Sequence, residues 1–271
     1  MAIILNEYEW AEKKIRNRDL GKKPYETLTR VAKYYYENRY SKREIRKLLD
    51  QFLISSNPDA SLFFWSDSLD KIAKNVGKFP LIQIDHIPVT QGELDEIQNL
   101  DSPQAQRLAF TLLCVSKYWD IVSDRNNHWV NSPDKEIFSM ANISASSKNQ
   151  DLLYGKIIQA GLIRQSKKID NLNVQVLFQD DSEEPPVLLI KDFRNLGFQY
   201  LKHYGGPFFE CEQCGTTVKM AEHKQYQSRQ RNCYHNGRGR KQRYCPTCAA
   251  EIRVKQNVDA VMRRRSINKA K

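Results

Sequence analysis

Residues 211–248 read CEQCGTTVKMAEHKQYQSRQRNCYHNGRGRKQRYCPTC and contain five of the six cysteines in this chain of 271 residues. Cys211 and Cys214 form one CxxC pair, Cys245 and Cys248 form a second, and thirty residues separate the two pairs. Two thiolates at this spacing can both reach one Zn²⁺ as the chain turns around it, and two such pairs complete a closed tetrahedral site. The spacing therefore predicts one structural zinc ion bound by these four cysteines.

A glycine follows the first CxxC pair, and a proline lies within the second. These residues, Gly215 and Pro246, both suit a tight backbone. A redox-active CxxC is the alternative, but that motif belongs to a βα unit, which the pattern does not indicate. Cys233, His223 and His235 lie between the pairs and could replace a ligand or form a second, incomplete site. We interpret them as a spare thiol and two solvated loop residues.

The formal charge of the chain is concentrated in the same region. Residues 211–271 carry fifteen Lys and Arg against four Asp and Glu, a net charge of +11, whereas the preceding 210 residues contain 28 basic and 28 acidic residues. Such asymmetry is typical of a segment that binds a polyanion, and nucleic acid is the polyanion we expect. We predict phosphate contacts from the segment between the two CxxC pairs, which we call the basic loop, and from a basic helix after the second pair. The predicted residues are Arg229, Arg231, Arg238, Arg240, Lys241, Arg243, Arg263, Arg264 and Arg265.

The overall composition predicts a globular protein of the cytoplasm. Hydrophobic residues make up 40% and charged residues 28% of the chain, which is sufficient for a packed core. Apolar runs such as LAFTLLCV (108–115) are too short to span a bilayer, and the N-terminus has no basic leader. We therefore expect no membrane partner, and we interpret Cys114, within that run, as a buried core residue.

The first hundred residues predict a helical region. Ser41 with Glu44, and Thr90 with Glu93, have the spacing of a capping box, in which the two side chains satisfy free backbone N–H groups where a helix starts. Another helix is predicted over residues 66–77 from its serine and glycine flanks. These patterns assign residues 1–100 to an N-terminal helical domain.

Residues 103–178 predict two helices, a turn, a third helix that ends at Gly161, and two strands around a turn at Asp170-Asn171. The stretch EIFSMANISASSKNQDLLYGKIIQAGLIRQSKK (136–168) resembles the winged-helix domains of phage and plasmid replication initiators, replisome organisers and related regulators. The resemblance covers under a third of the chain. It implies a recognition helix near residue 146 in the major groove and a wing beside it. The contacts it implies come from Lys148, Asn149, Gln150 and Tyr154 on the helix and from Lys167 and Lys168 on the wing.

The nearly neutral charge of residues 101–180 leaves protein binding open as a second function of this region. Residues 101–180 hold nine basic and eight acidic residues, and Asp151 on the recognition helix would repel phosphate. Winged helices also dock proteins, so this domain could bind a partner protein instead of DNA.

Together the patterns predict a mainly α protein of the α+β type. It would contain the helical domain (1–100), a winged helix-turn-helix (101–180), a linker with a short strand and helix (181–207), and a basic four-cysteine zinc ribbon with a trailing helix (208–271). We predict a non-enzymatic, zinc-containing protein that binds nucleic acid, duplex DNA more than RNA. The resemblance implies a phage or mobile-element protein in the bacterial cytoplasm, acting in replication or transcription with a partner protein.

Two other functions stay open. Metal-dependent nucleases of the HNH type carry two CxxC pairs around a catalytic loop, and this loop contains Glu222-His223, Asn232 and His235. It has no aspartate, and its Asn-to-His spacing is shorter than in that motif, so we rank the nuclease below the binding protein. The second alternative is a protein that binds RNA or inhibits a host machine, because a loop rich in arginine, glycine and tyrosine also suits RNA.

Overall fold

The computed structural model describes residues 3–123, 125–167, 173–180, 184–220 and 242–269. The described helices are α1 (Glu7–Asn17), α2 (Pro24–Glu37), α3 (Lys42–Ser56), α4 (Leu62–Asn75), α5 (Gln91–Gln98), α6 (Pro103–Val122), α7 (Asp134–Met140), α8 (Ser147–Gln159), α9 (Leu196–His203) and α10 (Pro246–Lys269). The described strands are β1 (Ile87–Val89), β2 (Ile163–Gln165), β3 (Val174–Val176), β4 (Leu188–Ile190), β5 (Phe208–Glu210) and β6 (Thr217–Lys219). The prediction of a mainly helical protein with a few short strands is confirmed.

The chain divides into two compact units. The first comprises Met1–Pro88, Ile121–Asp124 and Leu189–Phe193, and the second comprises Val89–Asp120, Arg125–Leu188 and Arg194–Lys271. Apart from Ile121–Asp124, the ranges predicted as winged helix and zinc ribbon fall in the second unit.

The first unit is built on the four helices α1 to α4. Their apolar faces enclose a core in which Leu28, Val31, Ile45 and Leu49 are fully buried. The capping box predicted at the start of α3 is present, with both of its hydrogen bonds formed. Helix α4 begins at Leu62, four residues earlier than predicted, because helical backbone continues through the exposed aromatic residues of its first turn.

Helix α6 forms the centre of the second unit. It is buried along most of its length, and Cys114 is fully buried as predicted. Helix α9 packs beside it, with the rings of Phe110 and Tyr200 5.2 Å apart. The short helix predicted in residues 181–207 is therefore part of the core of this unit.

Three segments pair edge to edge after α6. Strands β2 and β3 are antiparallel, with Ile163 opposite Val176. Residues before α7 extend this pairing, since Val130 donates its backbone N–H to Val174 at 2.9 Å. Gly161 adopts φ +75° where α8 ends, and the turn predicted at Asp170-Asn171 lies outside the described residues.

A buried ion pair ties the start of α5 to the middle of α6. Glu93, the second member of the predicted capping box, is fully buried, and its Oε1 lies 2.7 Å from Lys117 Nζ. The same carboxylate accepts the backbone N–H of Thr90 at 3.0 Å and that of Asp180 at 2.9 Å. One side chain thus joins three separated parts of the chain.

Replacing Lys117 by methionine would leave the Glu93 carboxylate buried without its cation. We expect Lys117→Met to lower the free energy of unfolding by about 3–5 kcal/mol, the usual cost of breaking a buried pair. Chemical denaturation measures this, with Lys135→Met on the exposed side of α7 as the control. Equal stability of the two variants would contradict a structural role for the pair.

Candidate metal centre

The first CxxC pair occupies a tight turn between two strands. Strands β5 and β6 pair antiparallel, with Glu210 opposite Thr217. Within the turn, the carbonyl of Cys211 accepts the backbone N–H of Gly215 at 2.8 Å, and the Cys211 N–H donates to the carbonyl of Thr216 at 3.0 Å. Gly215 has φ +73°, a conformation that a residue with a side chain adopts only with strain. The glycine noted in the sequence is thus required by the turn.

The second pair lies at the start of α10. Pro246 is the first residue of the helix, where a missing N–H costs nothing. Cys248 lies in the first helical turn, and its backbone N–H points to the Cys245 sulfur at 3.4 Å. This geometry brings the two thiols onto one side of the helix terminus.

The four sulfur atoms of Cys211, Cys214, Cys245 and Cys248 all lie within 4.8 Å of one another. Cys214 Sγ and Cys245 Sγ are 3.8 Å apart, and none of the four forms a disulfide. Three of the cysteines are buried, and Cys214 is half-buried. The predicted ligands are therefore together and could hold one metal ion.

Two cysteines of the cluster have thiol pKa values that are shifted in opposite directions by their surroundings. Burial raises the pKa of the Cys211 thiol, but backbone hydrogen bonds, those of Cys245 and Cys214 foremost, outweigh it and lower the pKa to about 6. Burial and the neighbouring thiols raise the pKa of Cys248. Four thiolates this close repel one another, so a bound cation is needed to ionise all four.

An ion pair connects the two halves of the centre. The guanidinium of Arg243, two residues before Cys245, contacts both carboxylate oxygens of Glu212, with Nε at 2.7 and 2.8 Å and Nη2 at 2.6 Å. The Glu212 backbone N–H also donates to the Arg243 carbonyl at 3.0 Å. Arg243, predicted to contact phosphate, is thus already paired with a carboxylate, and its guanidinium braces the metal centre.

Apart from two residues of α8, the other residues predicted to contact nucleic acid fall into three groups. Lys148, Asn149, Lys167 and Arg263 are exposed. Arg264 and Arg265 fall within the helical backbone of α10. Outside the described residues lie Lys168, Arg229, Arg231, Arg238, Arg240 and Lys241, together with Cys233, His223, His235 and the Glu222 and Asn232 positions of the nuclease alternative.

Two of the residues predicted on the recognition helix have partners within the fold. Tyr154 is buried, its hydroxyl donates to Asp134 Oδ1 at 2.7 Å, and its ring packs edge-on against Phe138 at 5.7 Å. It therefore holds α8 against α7. Gln150 is half-buried and donates to the carbonyl of Ala145 at 3.0 Å, so its amide is partly used within the turn.

Sequence reasoning missed the residues that anchor the metal centre to the rest of its unit. Arg194 Nη2 donates to the carbonyl of Cys214 at 2.7 Å, and Asn195 Nδ2 donates to that of Thr217 at 2.9 Å. Both residues precede α9 directly. The one signal in the sequence is an asparagine before a helix, which suits the left-handed conformation that Asn195 adopts, with φ +57°.

Comparisons with models of protein families, with curated proteins and with solved structures give no match to this chain. Among the described residues, no helix is both long enough and apolar enough to cross a membrane. The geometry of the cysteine cluster is therefore the main basis for assigning a function.

One metal ion should co-purify with each chain and depend on the cysteine cluster. We expect Cys211→Ser to lose this ion, because three thiolates and a hydroxyl bind a soft metal far more weakly than four thiolates. Elemental analysis after gel filtration measures the metal content, with Cys114→Ala as the control thiol substitution. A full equivalent of metal retained by Cys211→Ser would contradict the assignment.

Proposed function

We propose that the four cysteines bind one structural Zn²⁺. A zinc–sulfur distance of about 2.3 Å in a tetrahedron places neighbouring sulfur atoms about 3.8 Å apart, and Cys214 and Cys245 have that separation. All four positions would be filled by protein, so the ion has no open position for a substrate and serves to hold the fold.

The surrounding backbone supports a zinc ribbon. The first pair sits in the β5–β6 hairpin and the second pair begins α10, so one ion would staple a hairpin to a helix. The thirty residues between the pairs, which begin with Gly215 and include β6, would then be tied to the metal at both ends.

We propose further that this metal-bound unit binds nucleic acid. The observation that carries this proposal is the net charge of +11 in residues 211–271, against zero in the preceding 210. The metal would tie the basic residues between the CxxC pairs and those of α10 to the same site. Their charges would then act together on one stretch of phosphate backbone.

The arrangement around α8 supports a winged helix in the same unit. Helices α6, α7 and α8 are followed by the antiparallel pair β2–β3, and Val130 before α7 adds a third paired segment. Lys148 and Asn149 are exposed in the first turn of α8, where side chains of a recognition helix reach base edges. We propose that they contribute sequence readout on duplex DNA.

The biological role follows the resemblance of residues 103–178. We propose a DNA-binding protein of a phage or mobile element, acting in replication or transcription beside a partner protein. Structured RNA is the alternative ligand, and the basic loop would suit it as well.

Competition between labelled duplex DNA, single-stranded DNA and structured RNA tests the ligand class on the zinc-loaded full chain. We expect duplex DNA to compete best. Preference for RNA would favour the RNA-binding alternative, and cleavage of the duplex with Mg²⁺ or Mn²⁺ would favour the nuclease. Failure of all three nucleic acids to bind at low salt would contradict the proposal.

Three cations of the loop should account for much of the salt dependence. Each phosphate contact on duplex DNA contributes about 0.9 to the slope of log affinity against log salt. Replacing Arg238, Arg240 and Lys241 by glutamine should flatten the slope by about 2 to 3 units. Fluorescence anisotropy from low to moderate salt measures it.

The matched control for these three substitutions replaces three exposed cations of the first unit, Lys13, Lys22 and Lys47, by glutamine. It lowers the net charge equally and should leave the slope almost unchanged. If both triple variants flatten the slope by the same amount, the affinity comes from net charge and not from the loop.

Substitutions in the first turn of α8 should change sequence preference more than affinity. We expect Lys148→Ala with Asn149→Ala to reduce discrimination between a selected binding site and random duplex by about 1–3 kcal/mol for each base edge that is no longer read. Selection from a random DNA library supplies the site. Gln159→Ala, exposed at the far end of α8, is the control, and unchanged discrimination in the double variant would contradict readout by this helix.

A further inference from the structure

A chain of hydrogen bonds runs from the metal centre to the turn between α7 and α8. At its metal end, Arg194 donates to the carbonyl of Cys214, a ligand, and Asn195 Nδ2 donates to the carbonyl of Thr217 in β6. Both donors lie immediately before α9. These two bonds therefore connect the first CxxC turn to the start of this helix.

The same start of α9 is bonded to Asn142, which lies in the turn between α7 and α8. Asn142 Nδ2 donates to Asn195 Oδ1 at 2.8 Å, and Asn142 Oδ1 accepts the backbone N–H of Phe198 at 3.2 Å. Asn195 occupies the N-cap of α9 without a side-chain cap bond of its own. Asn142 thus caps the helix from another part of the chain.

Three further features fix the geometry of this junction. A side chain at Gly197 would place its Cβ 2.0 Å from the carbonyl oxygen of Ala141, so α9 touches the end of α7 backbone to backbone. The carbonyl of Asn142 accepts from Arg107 Nη1 at 2.9 Å, which fixes the turn to α6. Asn142 and Asn195 both adopt the left-handed conformation, with φ +56° and +57°, which only glycine, asparagine and aspartate tolerate readily.

We propose that Asn142 and Asn195 couple metal binding to the position of the turn that precedes α8. With the metal bound, the first CxxC turn holds the carbonyls of Cys214 and Thr217 in place, and the two asparagines transmit that order to residues 141–146. Without the metal, these acceptors lose their fixed position and the turn loosens. By linkage, a ligand that orders the turn strengthens metal binding by the same factor.

The proposal rests on the proposed metal site but does not require nucleic acid. Asn142 and Asn195 are positioning residues, because neither contacts the metal or the exposed side chains of α8. Their effect is on the order of a turn, so hydrogen exchange of backbone amides reports it directly.

The test compares hydrogen exchange of the full chain with one equivalent of zinc and after chelation. In the wild type, chelation should accelerate exchange at residues 208–220 and, on the order of tenfold, at residues 141–150. In Asn195→Asp, the carboxylate still accepts from Asn142 and suits the left-handed backbone, but it cannot donate to Thr217. This variant should bind one zinc and confine the acceleration to residues 208–220.

Two more variants complete the test. Asn142→Asp repeats the test in case Asn195→Asp does not fold, and Asn38→Asp is the matched control. Asn142→Asp keeps the acceptor for Phe198 but loses the donor to Asn195, so it should uncouple the turn in the same way. Asn38→Asp removes an equivalent amide bond in the first unit, where Asn38 Nδ2 donates to the carbonyl of Tyr34 at 2.8 Å. This control should behave as the wild type.

Two results would overturn the coupling while leaving the metal site intact. One is binding of one zinc by the wild type with no effect of chelation on residues 141–150. The other is an equal effect of chelation in the wild type and in both asparagine-to-aspartate variants at positions 142 and 195. If the wild type binds no metal at all, the proposed zinc site fails and the coupling fails with it.

Discussion

Contact among four sulfur atoms is the constraint on which the C-terminal part of the chain depends. The buried cluster there consists of Cys211, Cys245 and Cys248, with Cys214, Val218 and Tyr244 partly buried against it. This cluster contains little apolar surface to offset the entropy lost when a hairpin and a helix are ordered together. A metal ion supplies the missing free energy in sites of this kind. With the proposed ion bound, the position of the start of α10 relative to the β5–β6 hairpin would follow from the ligand geometry.

In the proposed function, electrostatic attraction and base contacts come from different parts of the second unit. The region predicted as a winged helix is almost neutral, with nine basic and eight acidic residues in 101–180, so alone it would gain little from counterion release. The basic loop and α10 belong to the same compact unit, and they can supply this attraction while α8 makes base contacts. Within the basic segment, Arg243 is paired with the carboxylate of Glu212.

Local rules explain what could be predicted from the sequence. The two capping boxes need only residues three positions apart, and both are formed. The CxxC spacing reflects the reach of two thiols around one ion, and the four sulfur atoms lie together. Helical spacing does not tell which side of a helix a neighbouring helix covers, so the burial of Tyr154 against α7 could not be predicted. The bonds of Asn142 with Asn195 join residues 53 positions apart, and no periodicity marks such pairs.

The bonds that anchor the metal centre also determine which variants can separate the contribution of the basic segment from that of α8. Ending the chain before Cys211 would remove the basic residues, but it would also remove the carbonyls of Cys214 and Thr217 that accept from Arg194 and Asn195. The start of α9 would then lose its partners, and through Asn142 the turn before α8 would lose support. Weaker nucleic-acid binding by such a fragment would reflect both the lost basic residues and the lost order of the turn before α8. Substitutions in the basic loop of the full chain keep these bonds, so they isolate the electrostatic contribution from the architecture that positions α8.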